Sequence, residues 1–503
     1  MGQSKPKITI STTSATVLAG IGEHKVLIVG QKLAAGTAID DVITEDIDNT
    51  GQETTLFGAG SMLETMVSAF KDENKETQVD VYALADASGT KAVKTLAFTG
   101  TASAAGQYII NINDHEYTID VANLDTATVI GDALVAAITA DTTAQWTAVN
   151  SSGSVAITSK HFGTVGTGMT IKVTGSATSV TYTITATTPG ATDPTLDLVT
   201  VIGNRQYQTI IFPFQYGTST ITTFLESRFN INNKVLYGSA VTVAVNTKAL
   251  HVSAGGKVLN KKTLEYWGVK LLDLASWKGS DVLVADYELA SRLGALRALR
   301  LTTGADLTGK VIAGDRVLDV VGGVALSSKP YFNTPVNIAL LDETKTWSYD
   351  KVDDLEDAQV NVVYNNDAVN AVIMGTNYTT YTTDIAGNVD ITYSYQNFVD
   401  TIETSTEFIY SNLKSRYAQM RLVNSGALDG EVDEAKIKTF CVSLFDELAG
   451  EDYLCLDPSS KQDFLDELTV VISKADRKAT ITGILPIVSQ LAEITAVFQI
   501  SLD

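Results

Sequence analysis

Residues 57–74 read "FGAGSMLETMVSAFKDEN", and what flanks this stretch decides the fold. Ser61 and Glu64 make the S-x-x-E capping pattern at a helix start. Met62, Met66 and Phe70 then share one face, flanked by Leu63, Val67 and Ala69, so the stretch is an amphipathic helix. Before it, "KVLIVGQ" (25–31) is a short apolar run suited to a strand buried on both sides. After it, "QVDVYAL" (78–84) is a second strand. Strand, helix, strand predicts an α/β sheet.

The same texture resumes far downstream. "YQTIIFPF" (207–214) is a buried strand, and "TSTITTFLESRFN" (218–230) is its helix. "VTVAVNT", a helix around "DYELASRLGALRALRL" (286–301) and "VNIALLD" continue the pattern. A long helix is expected over about 397–422, another in "EVDEAKIKTFCVSLFDELAG", and two strands in "LDELTVVISKADRKATITGILPIVS".

Between these blocks the composition changes. From about 95 to 190 the chain is rich in Thr, Ala, Gly, Ser and Val, and Lys and Arg nearly vanish, leaving only Lys160 and Lys172. "GQYIININ" and "HEYTIDV" predict a hairpin across "DH", "TVIGDALVAAITA" (128–140) a helix, and "SGSVAITSKHFGTVGTGMTIKV" and "TSVTYTITATT" further strands. "PGATDPTLD" closes the stretch as a Pro/Gly linker. The reading is a β-rich domain inserted between two parts of the α/β domain.

The ends have their own character. Residues 3–16 are polar and extended, with Ile8 and Ile10 at strand spacing. At the other end Ile494, Ala496, Phe498, Ile500 and Leu502 alternate with polar neighbours, the period of a half-buried strand. Either end can fold back on its own sheet or add to a sheet in a neighbouring copy. The predicted architecture is therefore an α/β (α+β) core with an inserted β-rich domain and extended N- and C-terminal arms. Residues 1–20 are the first arm, 21–94 and 196–395 the two parts of the core, 95–195 the insert, 396–490 a C-terminal domain and 491–503 the terminal strand.

Bulk numbers agree with several domains. The 503 residues exceed one ordinary core, and 45% hydrophobic with 19% charged residues is a globular balance. Lys and Arg total 36 against 58 Asp and Glu, a net charge of -22, which argues against direct contact with a phosphate backbone. Cys441 and Cys455 cannot form a disulfide framework and are read as reduced thiols. "MGQSKPK" lacks the apolar segment of a signal peptide, and Pro6 stands where a myristoylation signal needs Ser or Thr. The longest apolar candidate for membrane insertion is interrupted by Pro486.

The search for chemistry is mostly negative. Gly304, Gly309 and Lys310 match the G-x-x-x-x-G-K phosphate loop, but Val311 follows where Ser or Thr would hold magnesium, and the loop follows a helix. "HEYTI" starts like a zinc motif but has Ile119 in place of the second histidine, and His24, His115, His161 and His251 share no ligand spacing. Within the insert, His115 and His161 could approach each other. Ser411 and Lys414 fit S-x-x-K without the K-T-G that accompanies it. Asp353, Asp354, Glu356 and Asp357 form a solvated acidic turn without the pattern of a calcium loop. No catalytic, cofactor or metal site is expected.

Four stretches together carry a resemblance: "LFGAGSMLETMVSAF"; "NLDTATVIGDALVAAITA" followed by "SGSVAITSKHFGTVGTGMTIKV"; "YQTIIFPF" with its Thr/Ser loop and helix; and "YQNFVDTIETSTEFIYSNLKSRYAQMRL". With them, the chain from about residue 25 onward resembles the contractile tail sheath proteins of Mu-like bacteriophages. The resemblance implies a structural subunit, not an enzyme, with no cofactor. Such subunits stack as hexameric rings around a tail tube, exchange terminal arms, and contract to drive the tube through the host envelope. It implies partners in further copies of the chain, the tail tube protein, and baseplate and tail terminator proteins. It places the protein in a virion tail assembled in the host bacterial cytoplasm, with the core inward and the insert outward. On this reading Ile8, Ile10, Ile494, Phe498, Ile500 and Leu502 pair between subunits, and the tube-facing surface lies near the 431–448 helix. Three rivals stand: a non-contractile virion or surface-layer protein, a nucleotide-binding enzyme using Gly304–Lys310, and a sheath serving a bacteriocin or injection machine.

Overall fold

The structure, a computed structural model, describes residues 24–47, 51–86, 88–203, 205–216, 218–228, 238–270, 284–303, 331–341, 347–366, 370–450 and 455–488. The first block gives β1 (Lys25–Gln31), β2 (Val42–Thr44), α1 (Gln52–Phe57), α2 (Met62–Glu73) and β3 (Gln78–Leu84). The second gives β4 (Lys91–Gly100), β5 (Gly106–Ile112), β6 (His115–Val121), α3 (Ala127–Ala140), β7 (Trp146–Ser151), β8 (Ser154–Phe162), β9 (Ile171–Ser176) and β10 (Val180–Thr188). Next come α4 (Leu198–Ile202), β11 (Thr209–Ile211), α5 (Thr218–Arg228), β12 (Ser239–Asn246), α6 (Lys248–Ala254), β13 (Leu264–Lys270) and α7 (Asp286–Thr303). They are followed by β14 (Pro335–Val336), α8 (Tyr349–Asp357), β15 (Val363–Asn366) and β16 (Ala371–Met374). The last block holds α9 (Gln396–Tyr417), β17 (Arg421–Leu422), β18 (Glu431–Val432), α10 (Glu434–Ala449), α11 (Lys461–Glu467), β19 (Thr469–Ser473) and β20 (Lys478–Thr482).

The central sheet has the order β13-β12-β11-β1-β3-β2. Five strands are parallel and β2 closes one end antiparallel. Val26 to Val29 have no solvent exposure, as the apolar run of β1 requires at the middle of a covered parallel sheet. Helices α2 and α7 pack on each other and on the sheet.

The start of α2 departs from the expected capping box in an instructive way. The Ser61 hydroxyl does accept from the Glu64 N–H, at 3.0 Å. The Glu64 carboxylate accepts instead from the Gly60 N–H and, at 2.6 Å, from the Thr54 hydroxyl. Gly58 and Gly60 have positive φ (89° and 72°), so the chain breaks between α1 and α2 rather than running as one helix from residue 57.

Residues 91–188 build a separate pair of antiparallel sheets, β10-β4-β8-β7 and β6-β5-β9, with α3 packed against them. They enclose their own apolar cluster, including Tyr108, Leu134, Trp146 and Ile157. The chain enters and leaves side by side, since Thr90 and Ala191 exchange backbone hydrogen bonds of 3.0 and 3.1 Å. The β5–β6 turn is Asn113–Asp114, not Asp114–His115. Asn113 takes the left-handed conformation (φ 47°) that its short amide tolerates, and His115 is left in the strand.

Other elements are shorter than the sequence suggests. The strand expected in "YQTIIFPF" is three residues, and "VNIALLD" contributes only its first valine, in β14. Helix α10 starts at Glu434 because Asp433 caps it, its carboxylate accepting from the Lys436 N–H at 2.9 Å.

Candidate assembly surfaces

An open parallel sheet takes ligands outside the carboxyl ends of its strands, where the strand order reverses. Here that point lies between β1 and β11, and it is filled. The Gln31 carboxamide donates to Asp86 (2.8 Å) and to the Phe162 carbonyl (3.2 Å), while the Tyr216 hydroxyl donates to the Gln31 oxygen. His161, on β8, accepts from the Met62 N–H at 2.8 Å through Nε2, which leaves Nδ1–H to face Asp86 at 3.1 Å. The cavity beside them is about 20 Å³, room for about one water. The crevice is therefore the seat of the 91–188 unit rather than an open pocket.

The C-terminal region offers a different surface. Helix α9 is long enough to belong to two bodies: Gln396, Val399 and Asp400 are buried at its start, and Phe408 joins an apolar cluster with α10, α11 and β19. Against that cluster lies the hairpin β19–β20, a two-stranded sheet. The Ile472 N–H is taken by the Glu434 carboxylate at 3.0 Å, so it points away from β20. Ala479 stands opposite Ile472 and Ile481 opposite Val470. The backbone groups of Ala479 and Ile481 therefore point outward from β20. Among the described residues no strand pairs with that edge. Two-stranded sheets are marginal alone, and an unpaired edge is a template for another strand.

Core and C-terminal region are joined by buried charge. Arg297 on α7 is fully buried, with Asp400 at 2.6 Å and Glu265 at 3.1 Å. It also donates to the Gln208 carbonyl and the Thr209 hydroxyl, at 2.5 and 2.6 Å. Tyr331 donates to Asp400 at 2.5 Å, and Gln396 bridges Asp400 and Ser239 at 2.8 Å each. Burial pushes the Glu265 carboxyl up to about 7, because the single guanidinium only partly offsets desolvation and Asp400 adds a second negative charge. Sequence reading missed this joint. A signal existed: in α7, Leu289, Ala290, Leu293 and Leu296 leave no broad polar face, so its charges had to be buried among partners.

The expected pairing residues Ile8, Ile10, Ile494, Phe498, Ile500 and Leu502 lie outside the described residues, as do Gly304, Gly309 and Lys310. The histidines go separate ways. His115 contacts Asp141 (2.7 Å), His161 contacts Asp86, His251 bonds to Tyr266 and the Val269 carbonyl at 3.0 Å, and His24 reaches Thr209 at 3.3 Å. So His115 and His161 share no partner. Burial pushes both thiols up to about 11, which suits inert core cysteines. Ser411 and Lys414 border an open groove at the end of α9 with Arg416 and Gly430. Asp353 and its acidic neighbours sit on α8, where Asp354 pairs with Lys248. Among the described residues no three His, Cys, Asp or Glu side chains gather as a metal site, and no helix is long and apolar enough to cross a membrane.

A curated relative, the Mu-like prophage FluMu tail sheath protein of Haemophilus influenzae, is 33% identical over 198 residues. The chain is similar to a Mu-like tail sheath protein. That match covers 38% of this chain and 40% of the relative, so the chain spans about two fifths of the length of the curated relative it matches. No family model matches. Solved structures with similar coordinates include the sheath tail proteins of Desulfitobacterium hafniense (13% identity, 97% of this chain and 96% of that one, TM-score 0.42) and Listeria innocua (12%, 94% of each, TM-score 0.43). A chain of the anti-feeding prophage baseplate matches at 12% identity over 100% of each chain, TM-score 0.45.

Proposed function

We propose that this chain is the structural subunit of a contractile tail sheath, polymerising as stacked hexameric rings around a tail tube and contracting to drive the tube through a host envelope. The observation that carries the proposal is the open β20 edge beside a chain that continues, past residue 488, into an alternating apolar sequence. Strand addition at that edge links subunits through backbone bonds, each contributing about 0.5–1.5 kcal/mol net. Such pairing survives large rigid-body motion, provided the segments leading to the strand are free to turn. Two packings of one subunit set, the extended one kinetically trapped, supply the work of contraction.

On this reading Ile494, Phe498, Ile500 and Leu502 fill the edge from a neighbouring copy, and Ile8 and Ile10 serve the other arm. The tube partner meets the outer face of α10, where Glu434, Lys438, Thr439 and Asp446 are exposed. Baseplate and terminator proteins bound the array at its two ends, in a virion tail assembled in host cytoplasm. The chain acts without catalysis or cofactor.

The test is negative-stain electron microscopy of the purified chain, with tail tube supplied, beside a 1–490 truncation. The full chain is expected to form hollow striated tubes of uniform width. The truncation is expected to remain a folded monomer by circular dichroism. Unchanged tube formation by the truncated chain would overturn the arm, and dispersed full-length particles in the presence of tube would overturn the sheath.

A further inference from the structure

The 91–188 unit carries a second pair of open edges, and their parity matches. Its four-stranded sheet ends in β10 on one side and β7 on the other. The Phe98 N–H donates to the Gly153 carbonyl, so the even-numbered residues of β4 bond toward β8 and the odd-numbered ones toward β10. The outward backbone groups of β10 are then those of Tyr182, Ile184 and Ala186. By the same alternation, with the Lys160 N–H donating to the Gln145 carbonyl, the outward groups of β7 are those of Trp146, Ala148 and Asn150. Among the described residues no strand covers either edge.

Natural sheets blunt such edges with lysine, proline or inward-pointing charge. Neither 146–151 nor 180–188 contains a charged residue or a proline. The one irregularity, between Ala186 and Thr188, lies at the end of the exposed triad and bounds it. The two edges run antiparallel to each other, because each of the three intervening pairings is antiparallel. All six outward residues have side chains on the inner face, so pairing the two edges keeps both faces of the sheet continuous. Along the seam itself the outer face is uncharged, with Val149, Thr183 and Thr185 all exposed.

We propose that the sheet of the 91–188 unit is continued from subunit to subunit, the β7 edge of one copy pairing antiparallel with the β10 edge of the next. The triads meet as Trp146 with Ala186, Ala148 with Ile184 and Asn150 with Tyr182. The occupant of each edge is a second copy because one sheet carries both complementary edges. Such a head-to-tail contact repeats around a ring or along a helix. This inference rests on the sheath reading but uses a surface separate from the terminal arms.

The test is disulfide trapping in assembled tubes. In this register Val149 and Thr183 face each other as a non-hydrogen-bonded pair, the closer of the two cross-strand geometries. Within one chain they lie three strand spacings apart, about 14 Å, beyond disulfide reach. Both are exposed, so Val149→Cys with Thr183→Cys leaves the fold intact, and Cys441 and Cys455 are buried. Oxidised tubes of the double variant are expected to give a ladder of dimers, trimers and higher multimers on a non-reducing gel. Either single variant and the unmodified chain are expected to give monomer. Companion pairs Val149→Cys with Thr181→Cys or Thr185→Cys shift the register by two residues in either direction. Tubes that give no ladder with any of the three pairs overturn the sheet continuation alone. Failure of the unmodified chain to form tubes overturns the sheath reading beneath it.

Discussion

The 91–188 unit and the joint around Arg297 hold together by opposite means. The first draws its strand pairings and its apolar cluster from one stretch, residues 91–188, with β5–β6 and β7–β8 as hairpins and β4 paired at longer range with β8 and β10. The second gathers Gln208, Glu265, Arg297, Tyr331 and Asp400 from segments spread over almost two hundred positions. Pairing confined to one stretch gives a unit with an apolar cluster of its own. Buried charge makes a specific junction: a guanidinium without its carboxylates, or the reverse, is strongly destabilising.

The comparison breaks first at its charged end. Arg297→Met leaves Asp400 and Glu265 buried without their cation, and about 3–5 kcal/mol of local stability is expected to be lost. Hydrogen exchange is expected to quicken in α7 and the first half of α9 while 91–188 keeps its protection. Equal loosening throughout would show that the two regions are one cooperative unit.

Leu134→Ala is the mirror experiment. It hollows the cluster beneath α3 and is expected to cost about 2–5 kcal/mol. Exchange should quicken in 91–188 and stay unchanged in α9.

Acidity sharpens the contrast. Glu265 has a folded pKa raised above its unfolded value, so the native state holds an extra proton between about 4.5 and 7. Its contribution to stability is full below that window and is lost as pH rises through it, at no more than about 1.4 kcal/mol per pH unit. Urea titrations of Glu265→Gln are expected to show a weaker fall in stability from pH 5 to 7 than the unmodified chain. Asp141 behaves in the opposite sense: burial raises it, but hydrogen bonds from Thr143, Tyr117 and His115 outweigh that and hold it at about 2. Its contribution is present at neutral pH and lost only as pH falls toward 2. The smallest effect is at α2, where Ser61→Ala removes one cap and is expected to cost about 1 kcal/mol by thermal melting.

What could be read from sequence follows the same division. The capped helix, β1, β3 and the pairing of β5 with β6 were legible because period is a local signal, and the Ser61 cap is where the letters placed it; the β5–β6 turn was read one residue late and β7 was not read at all. The joint was not, because nothing in "DYELASRLGALRALRL" says that Asp400, a hundred positions on, supplies the partner. Nor were the open edges, since an unpaired edge is a property of strand order. Composition could show that 146–151 and 180–188 lack charge, but not that both lie at the rim of one sheet.

The measurement that goes most directly to the central claim is a cryo-electron microscopy map of the assembled tube at side-chain detail. The account predicts an added strand along β20, hydrogen-bonded to the backbone of Ala479 and Ile481 and traced to a different subunit. A bare β20 edge, or a strand that traces back to the same subunit, would contradict it.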